Sequence, residues 1–179
     1  MDIFAHGFSG VLLSQVARRK DDAQQDRIFY FTTCVGAMIL PDLDAVSYLF
    51  GPDAFAAIHQ KYTHTIFALV LIPPLAATAL HLVFKHYSWI LTWLLVTVGM
   101  SIHIAEDLIA HWPVRFFYPF SQKGWAFGLI RKDFSIVVDF IFIIGAMVTF
   151  YDRATPYRRI IAILTFIIVA VYLFLGPGF

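Results

Sequence analysis

The sequence predicts an all-α, polytopic membrane protein, and three observations support this fold class. Hydrophobic residues make up 60% of its 179 residues and charged residues only 14%, whereas a soluble domain carries about 25% charged residues. The mean hydropathy is +0.75. Several stretches without any charged side chain are long enough for a helix that crosses about 30 Å of hydrocarbon. We therefore expect a single membrane-embedded domain over residues 1–179.

Four to six membrane helices follow from the positions of the apolar stretches. Four stretches are long and two are short, and in chain order they are 3–17, 28–40, 62–84, 87–105, 134–151 and 160–179. The fourth helix is expected to continue to Ala110, and the fifth stretch is interrupted by Asp139. Pro41 should end the second segment, because proline cannot donate a backbone hydrogen bond. No strands are expected.

The charge and cysteine content exclude two classes of protein. Thirteen Lys and Arg residues against twelve Asp and Glu residues leave a net charge of +1. Nucleic-acid binding needs a basic surface, so it is not expected. Cys34 is the single cysteine, which excludes an internal disulfide framework.

Basic residues in the connections predict the orientation. If all six segments cross, eight fall on one side and five on the other, and cytoplasmic loops carry the excess. The first set is Arg18, Arg19, Lys20, Arg27, Lys85, Arg153, Arg158 and Arg159; the second is Lys61, Arg115, Lys123, Arg131 and Lys132.

Potential metal ligands collect at one membrane face, which the orientation predicts to be non-cytoplasmic. Alternating the direction of the segments brings seven His and Asp residues to this layer: His6, Asp42, Asp44, His59, His64, His103 and Asp107. Asp and Glu within membrane segments are rare and need compensation. Mixed imidazole and carboxylate ligands suit Zn, Mn or Fe. The sequence therefore predicts a metal site.

His103 and Asp107 are the most specific pair, because residues four apart project from the same face of a helix. His111 would join that face if the helix continues. Glu106 is expected to face away, toward lipid headgroups or solvent. His81 and His86 are interpreted as interfacial residues. Taken alone, Pro-Asp-x-Asp is more often an ordinary turn.

These motifs resemble those of the membrane-bound metal-dependent hydrolases of the LexA-regulated type. The resemblance covers about residues 5–120 and rests on a histidine near the N-terminus followed by Pro41-Asp42-Leu43-Asp44, His59-x-x-x-Thr63-His64-Thr65 and His103-x-x-x-Asp107. The chain departs from the family pattern at Gln60-Lys61, where Arg-Gly is usual, and at Thr65, where Ser is usual. The family is distantly similar to zinc-dependent phospholipase C.

The resemblance implies an enzyme of the bacterial inner membrane that hydrolyses phosphoesters, with two or three zinc, manganese or iron ions. It implies that the seven His and Asp residues are ligands or support ligands, with Asp107 as a bridge between ions. Asp44, His64 and Asp107 are the expected catalytic residues. A metal ion would lower the pKa of bound water toward 7 and supply hydroxide.

Arg115 and Lys123 lie among aromatic residues after the last motif and are expected to bind the phosphate of a lipid or other phosphoester substrate. An interfacial belt would have the same composition. Two non-enzymatic functions also remain open, a metal-stabilised membrane scaffold and a metal or proton transporter. A transporter should carry ionisable groups near mid-membrane, where Asp139 is the candidate.

Overall fold

Helices account for the regular structure throughout the described part of the chain. The computed structural model describes residues 3–19, 23–110, 113–129, 135–150 and 156–175. These residues form seven α-helices: α1 Ile3–Ala17, α2 Gln24–Ile39, α3 Pro52–Ile58, α4 Ile66–Val83, α5 Trp89–Ile109, α6 Ser135–Phe150 and α7 Arg158–Leu175. Extended pairing among these residues is limited to an isolated antiparallel bridge between Val114 and Trp125. The predicted all-α class is confirmed for these residues.

Among the described residues, three helical stretches are long and apolar enough to cross a membrane: Gln24–Phe50, Ile66–Val83 and Trp89–Ile109. Helix α1 and residues 136–150 form shorter apolar helices. The predicted third and fourth segments correspond to α4 and α5. Helix α4 begins at Ile66 rather than at residue 62, because the Thr65 side chain accepts a hydrogen bond from the Ala68 amide and caps the helix. The count of four to six crossings stays a prediction.

Helix α2 ends at Ile39, close to Pro41, as the sequence predicted. The chain then continues as a 3-10 helix over Leu40–Phe50, which the sequence did not predict. Pro41 cannot donate to an α-helical partner, yet its fixed φ angle suits the first turn of a new helical segment. Asp42 and Asp44 therefore lie on a helical extension of α2.

Two apolar clusters hold the helices together. One cluster is built from α1, α6 and α7 around Leu12 and Phe142, and the other from α2, α4 and α5 around Val96 and Met100. Helix α1 packs against α2 and joins the two halves. Glycines allow close helix packing, among them one in α1 and one in α5 that both face α2. A Cβ atom at Gly10 would lie 2.8 Å from the Cα of Val35, and one at Gly99 would lie 2.6 Å from the Cβ of Ala37. Small residues at such crossings let membrane helices approach closely.

Candidate metal centre

Three parts of the chain meet where α2 and α5 end. The 3-10 helix contributes Asp42 and Asp44, the connection between α3 and α4 contributes His59 and His64, and the last turns of α5 contribute His103 and Asp107. The cap at Thr65 fixes the start of α4 directly after His64. His103 and Asp107 share one face of α5, as the spacing of four residues predicted.

Four buried side chains direct one donor atom each toward a common point. They are Asp42, His64, His103 and Asp107, with 0–7% of their surface exposed, and their donor atoms all lie within 4.8 Å of one another. The Nε2 atoms of His64 and His103 are 3.0 Å apart. Asp107 Oδ2 lies 3.3 Å from His64 Nε2 and 3.7 Å from His103 Nε2. Asp42 Oδ1 lies 3.6 Å and 3.5 Å from the same two nitrogens. We call these four residues the buried group.

The hydrogen-bond partners of the two imidazoles leave both Nε2 atoms as acceptors. The Met38 carbonyl oxygen can only accept, so Nδ1–H of His103 donates to it, at 2.6 Å. Thr63 donates its hydroxyl hydrogen to Asp44 Oδ2, at 2.6 Å. The Thr63 oxygen then accepts from Nδ1–H of His64, at 2.9 Å. Such outer partners orient the histidine ligands of metal sites and fix the tautomer.

The spacing of the donors fits a tetrahedral transition-metal ion. The five distances given for the buried group run from 3.0 to 3.7 Å. A tetrahedron with metal–ligand distances of about 2.0–2.1 Å has edges of about 3.3–3.4 Å. Two imidazole nitrogens and two carboxylate oxygens are also ligands that zinc accepts. The donor set and its spacing are therefore compatible with a bound metal ion.

A second group shares Asp42 with the first and is more exposed. Asp42, Asp44 and His59 also offer donor atoms within 4.8 Å of one another, and Asp44 and His59 are only partly buried. His59 Nδ1 lies 2.7 Å from Asp44 Oδ1. Burial by itself would lower the pKa of His59, but the hydrogen bond and negative charge of Asp44 outweigh it and raise the pKa above 6.5. The backbone amide of Gln60 and the hydroxyl of Thr63 hold the other Asp44 oxygen. We call these three residues the half-buried group.

His6 lies beside the buried group and contacts two carboxylates. Its Nδ1 is 2.8 Å from Glu106 Oε2 and its Nε2 is 3.2 Å from Asp107 Oδ1. Ser9 donates to the same Glu106 oxygen, at 3.3 Å. The prediction that Glu106 faces lipid or solvent was wrong. Helix α1 covers that side of α5 and buries Glu106 to 8% exposure, which the sequence of α5 alone does not indicate.

Asp107 contacts groups on both of its oxygens. Oδ1 faces His6, whereas Oδ2 faces the two imidazoles of the buried group and also accepts from the Gln60 side-chain amide, at 2.9 Å. Asp42, rather than Asp107, belongs to both candidate ligand groups. The expected role of Asp107 as a bridge between ions stays a prediction.

The remaining predicted site residues lie at the edge of the centre or outside it. His111 falls outside the described residues, as do Arg131 and Lys132. Arg115 and Lys123 belong to the connection 113–129, which is hydrogen bonded to α4 and α5. The Ile66 amide donates to the Phe116 carbonyl oxygen, at 3.0 Å, and the Leu129 amide donates to the Ile109 carbonyl oxygen, at 2.9 Å. Lys123 is exposed and its ammonium lies 4.2 Å from the Trp125 ring centroid. The substrate role of both basic residues stays a prediction.

Sequence reasoning missed the roles of Gln60 and Glu106, which both touch the centre. Gln60 was noted only as a departure from the family pattern, yet it is buried and hydrogen bonded to Asp107. Glu106 was assigned to the wrong side of α5. The position of Gln60 directly after a candidate histidine ligand was a signal that it lies near the centre. The burial of Glu106 could be predicted only from the position of α1.

Comparison with known proteins gives one family and one distant relative. The YdjM inner membrane protein family matches residues 1–177. The uncharacterized protein YfhP of Bacillus subtilis (strain 168) is 25% identical over 160 residues, which cover 87% of this chain and 48% of YfhP. The chain thus spans about half the length of that relative. No solved structure matches the chain. The family description gives a membrane location and no reaction.

Proposed function

The chain belongs to the YdjM inner membrane protein family and is an integral protein of the inner membrane, and we propose that it is a metal-dependent hydrolase of phosphoesters. The substrate class is a phospholipid or another lipid-linked phosphate. The proposed cofactor is a divalent transition metal ion, with zinc favoured over manganese and iron.

The observation that carries this proposal is the convergence of four acceptor atoms in the buried group. Two Nε2 lone pairs and two carboxylate oxygens face one another in a place with almost no water access. Acceptors that face one another at such a depth repel each other unless a cation lies among them. A proton shared between the two Nε2 atoms would leave the two carboxylate oxygens without a counter-charge between them. The four atoms together therefore favour a metal ion.

A divalent ion with an open coordination position at this centre would lower the pKa of a bound water and supply hydroxide at neutral pH. Hydrogen bonds within the protein orient the side chains that would bind the ion. The Met38 carbonyl and the Thr63 hydroxyl fix the imidazole tautomers, and Gln60 holds one oxygen of Asp107. No serine or cysteine nucleophile is required.

The half-buried group is the proposed place of substrate entry. It offers three protein ligands and remains partly open, which is typical of catalytic metal sites, whereas four protein ligands are typical of structural ones. Since Asp42 belongs to both groups, two ions bound there would share this carboxylate. Pairs of ions stabilise both the attacking and the leaving oxygen in phosphoester cleavage. Asp44, held by Thr63 and the Gln60 amide, is therefore proposed to act in catalysis beside His64 and Asp107.

A lipid substrate is favoured by the apolar surface next to this opening. The 3-10 helix that carries Asp42 and Asp44 exposes large hydrophobic side chains around them, among them Leu43, Val46, Leu49 and Phe50 at 57–82% exposure. Such a surface fits the hydrocarbon of the bilayer, so a lipid could bring its phosphate to the carboxylates from the side. Arg115 and Lys123 are proposed to bind that phosphate.

Hydrolysis of defined substrates by the purified, zinc-loaded protein tests the proposal. We expect release of phosphate or a phosphorylated headgroup from phospholipid or lipid-linked phosphate substrates in mixed micelles. Asp107→Asn and Asp44→Asn should each abolish turnover, since both remove a charge from a candidate ligand. His81→Ala and His86→Ala are matched controls and should retain it. Full turnover by both Asp variants would disprove the assignment of the site.

A metal-stabilised scaffold is the second candidate, and the closed character of the buried group favours it. Four protein ligands with 0–7% exposure are what a structural zinc site has. In that case removal of the metal would unfold the protein, and Asp44→Asn, which lies outside the buried group, would leave the bound ion in place. Stable, folded Asp44→Asn protein that has lost turnover would instead support the enzyme. No specific observation favours transport.

A further inference from the structure

A polar cavity lies between α1, α2 and α6, at the end of the helices that is remote from the metal centre. Its volume is about 310 Å³. Gln15 lines it and follows His6 by nine residues, which corresponds to about 13 Å along α1. Arg27 in the first turn of α2 and Thr149 near the end of α6 also line it. The cavity is therefore separate from both ligand groups.

The charges on the cavity wall favour an anion. Arg18 and Arg27 both line it, and the lining contains no acidic residue within the described ranges. The backbone of Arg18 is held in place by α7, since Arg158 and Arg159 donate hydrogen bonds to the carbonyl oxygens of Arg19 and Arg18. Two guanidinium groups at a membrane interface attract the phosphates of anionic lipids.

The same wall contains a buried side-chain amide, that of Gln15, whose oxygen is not hydrogen bonded to any described residue. Gln15 is 2% exposed, its Nε2 donates to Ser14 Oγ at 3.3 Å, and its Oε1 has no hydrogen-bond partner among the residues that the structure describes. A buried acceptor without a donor costs roughly 1–3 kcal/mol. A headgroup that carries hydroxyl donors would satisfy this oxygen while its phosphate pairs with the arginines.

The rim of the cavity is apolar and faces outward. Ile28, Phe31 and Phe150 line the cavity and are 42–59% exposed. In a bilayer these side chains would lie along acyl chains. We propose that the cavity binds the headgroup of an anionic phospholipid with free hydroxyls, of the phosphatidylglycerol type, with its acyl chains against this rim.

Native mass spectrometry of the full-length protein in detergent tests the proposal, with phosphatidylglycerol, phosphatidylethanolamine and inorganic phosphate as separate probes. We expect phosphatidylglycerol to be retained preferentially. The double variant Arg18→Gln/Arg27→Gln should bind it at least about tenfold more weakly, because each arginine near an anionic lipid contributes roughly fivefold. If the double variant does not fold, Arg27→Gln alone can be tested, since this position is exposed. It should weaken phosphatidylglycerol binding about fivefold. Lys85→Gln removes the same charge at an exposed position outside the cavity and should have no effect.

Metal content gives an independent readout, since the cavity and the two ligand groups lie at opposite ends of the helices. It should be the same in the wild-type protein, the double variant, Arg27→Gln and Lys85→Gln. Equal retention of phosphatidylglycerol by the double variant and the Lys85→Gln control would overturn the proposal. So would equal binding of phosphatidylethanolamine, or displacement of the lipid by inorganic phosphate, which would indicate a site for a free anion.

Discussion

The Nε2 atoms of His64 and His103 lie 3.0 Å apart, and the partners of both rings place the hydrogen on Nδ1. Two acceptors at this distance repel each other unless a positive charge lies between them. Asp42 and Asp107 add two oxygens around the same point. The arrangement is thus one that a cation stabilises.

Protein purified without chelator should carry at least one tightly bound divalent transition metal ion. Asp107→Asn, which keeps the shape of the side chain but removes its charge, should lower the metal content, whereas His81→Ala should not. Elemental analysis measures both. Substoichiometric metal that does not rise after addition of Zn or Mn would disprove the site.

Chelation should also lower the thermal stability of the wild-type protein. A ligand present at 1,000 times its Kd stabilises the native state by about 4 kcal/mol. We therefore expect EDTA to lower the Tm of the wild-type protein clearly and that of Asp107→Asn only slightly. Identical shifts in both proteins would mean that the stabilising ion is bound elsewhere.

Thr63→Val should weaken metal binding by about 10- to 100-fold, the usual effect of losing an outer partner of a metal-ligating histidine. Its hydroxyl connects Asp44 to His64. Thr63→Ser keeps the hydroxyl and should restore binding. Competition with a metal indicator dye gives the affinities, and equal affinities for the two variants would contradict the role of the hydroxyl.

Glu106→Leu should reduce the free energy of unfolding by about 1–3 kcal/mol, because it leaves the buried Nδ1 of His6 without its partner. It should retain the metal, since Glu106 belongs to neither ligand group. Denaturation in detergent gives the stability. Ser101→Ala, at an exposed position of the same helix, is the control and should be neutral; loss of metal from Glu106→Leu would place this carboxylate among the ligands.

Glycine substitutions test the helix packing. Gly10→Ala and Gly99→Ala should each destabilise the protein by about 1–3 kcal/mol, because the added Cβ meets a neighbouring helix. Gly36→Ala adds the same atom in α2 where nothing lies within 4 Å, so it should be neutral or slightly stabilising. Equal Tm values for all three variants would contradict the close approach of α1 and α5 to α2.

The basic residues predict that the metal centre faces away from the cytoplasm. In a Cys34→Ala background, Gln122→Cys should react with an impermeant maleimide in intact cells, whereas Lys85→Cys should react only after lysis. Both positions are exposed. The opposite pattern would reverse the orientation.

The sequence predicted those features that depend on one segment at a time. Charge-free stretches located α4 and α5, because hydrocarbon tolerates few charges. The spacing of His103 and Asp107 predicted their common face. Alternating helix direction placed His64 and Asp42 in the same layer, and the structure brings all four together.

Beyond the shared layer of the ligands, the individual side-chain contacts between distant segments were not predictable. Glu106 adjoins Asp107 in sequence but faces α1, and the sequence of α5 does not indicate which helix covers that side. The hydrogen bond from Gln60 to Asp107 depends on a positive φ angle at Gln60. The 3-10 continuation past Pro41 required knowledge of what packs against it.

The ligands of the buried group are separated along the chain by α4. Asp42 and His64 precede this helix, whereas His103 and Asp107 are made only after it. All four can therefore come together only once α5 has been synthesised. An ion bound by all four would be acquired at the end of folding, so it would hold the finished bundle together rather than start its assembly.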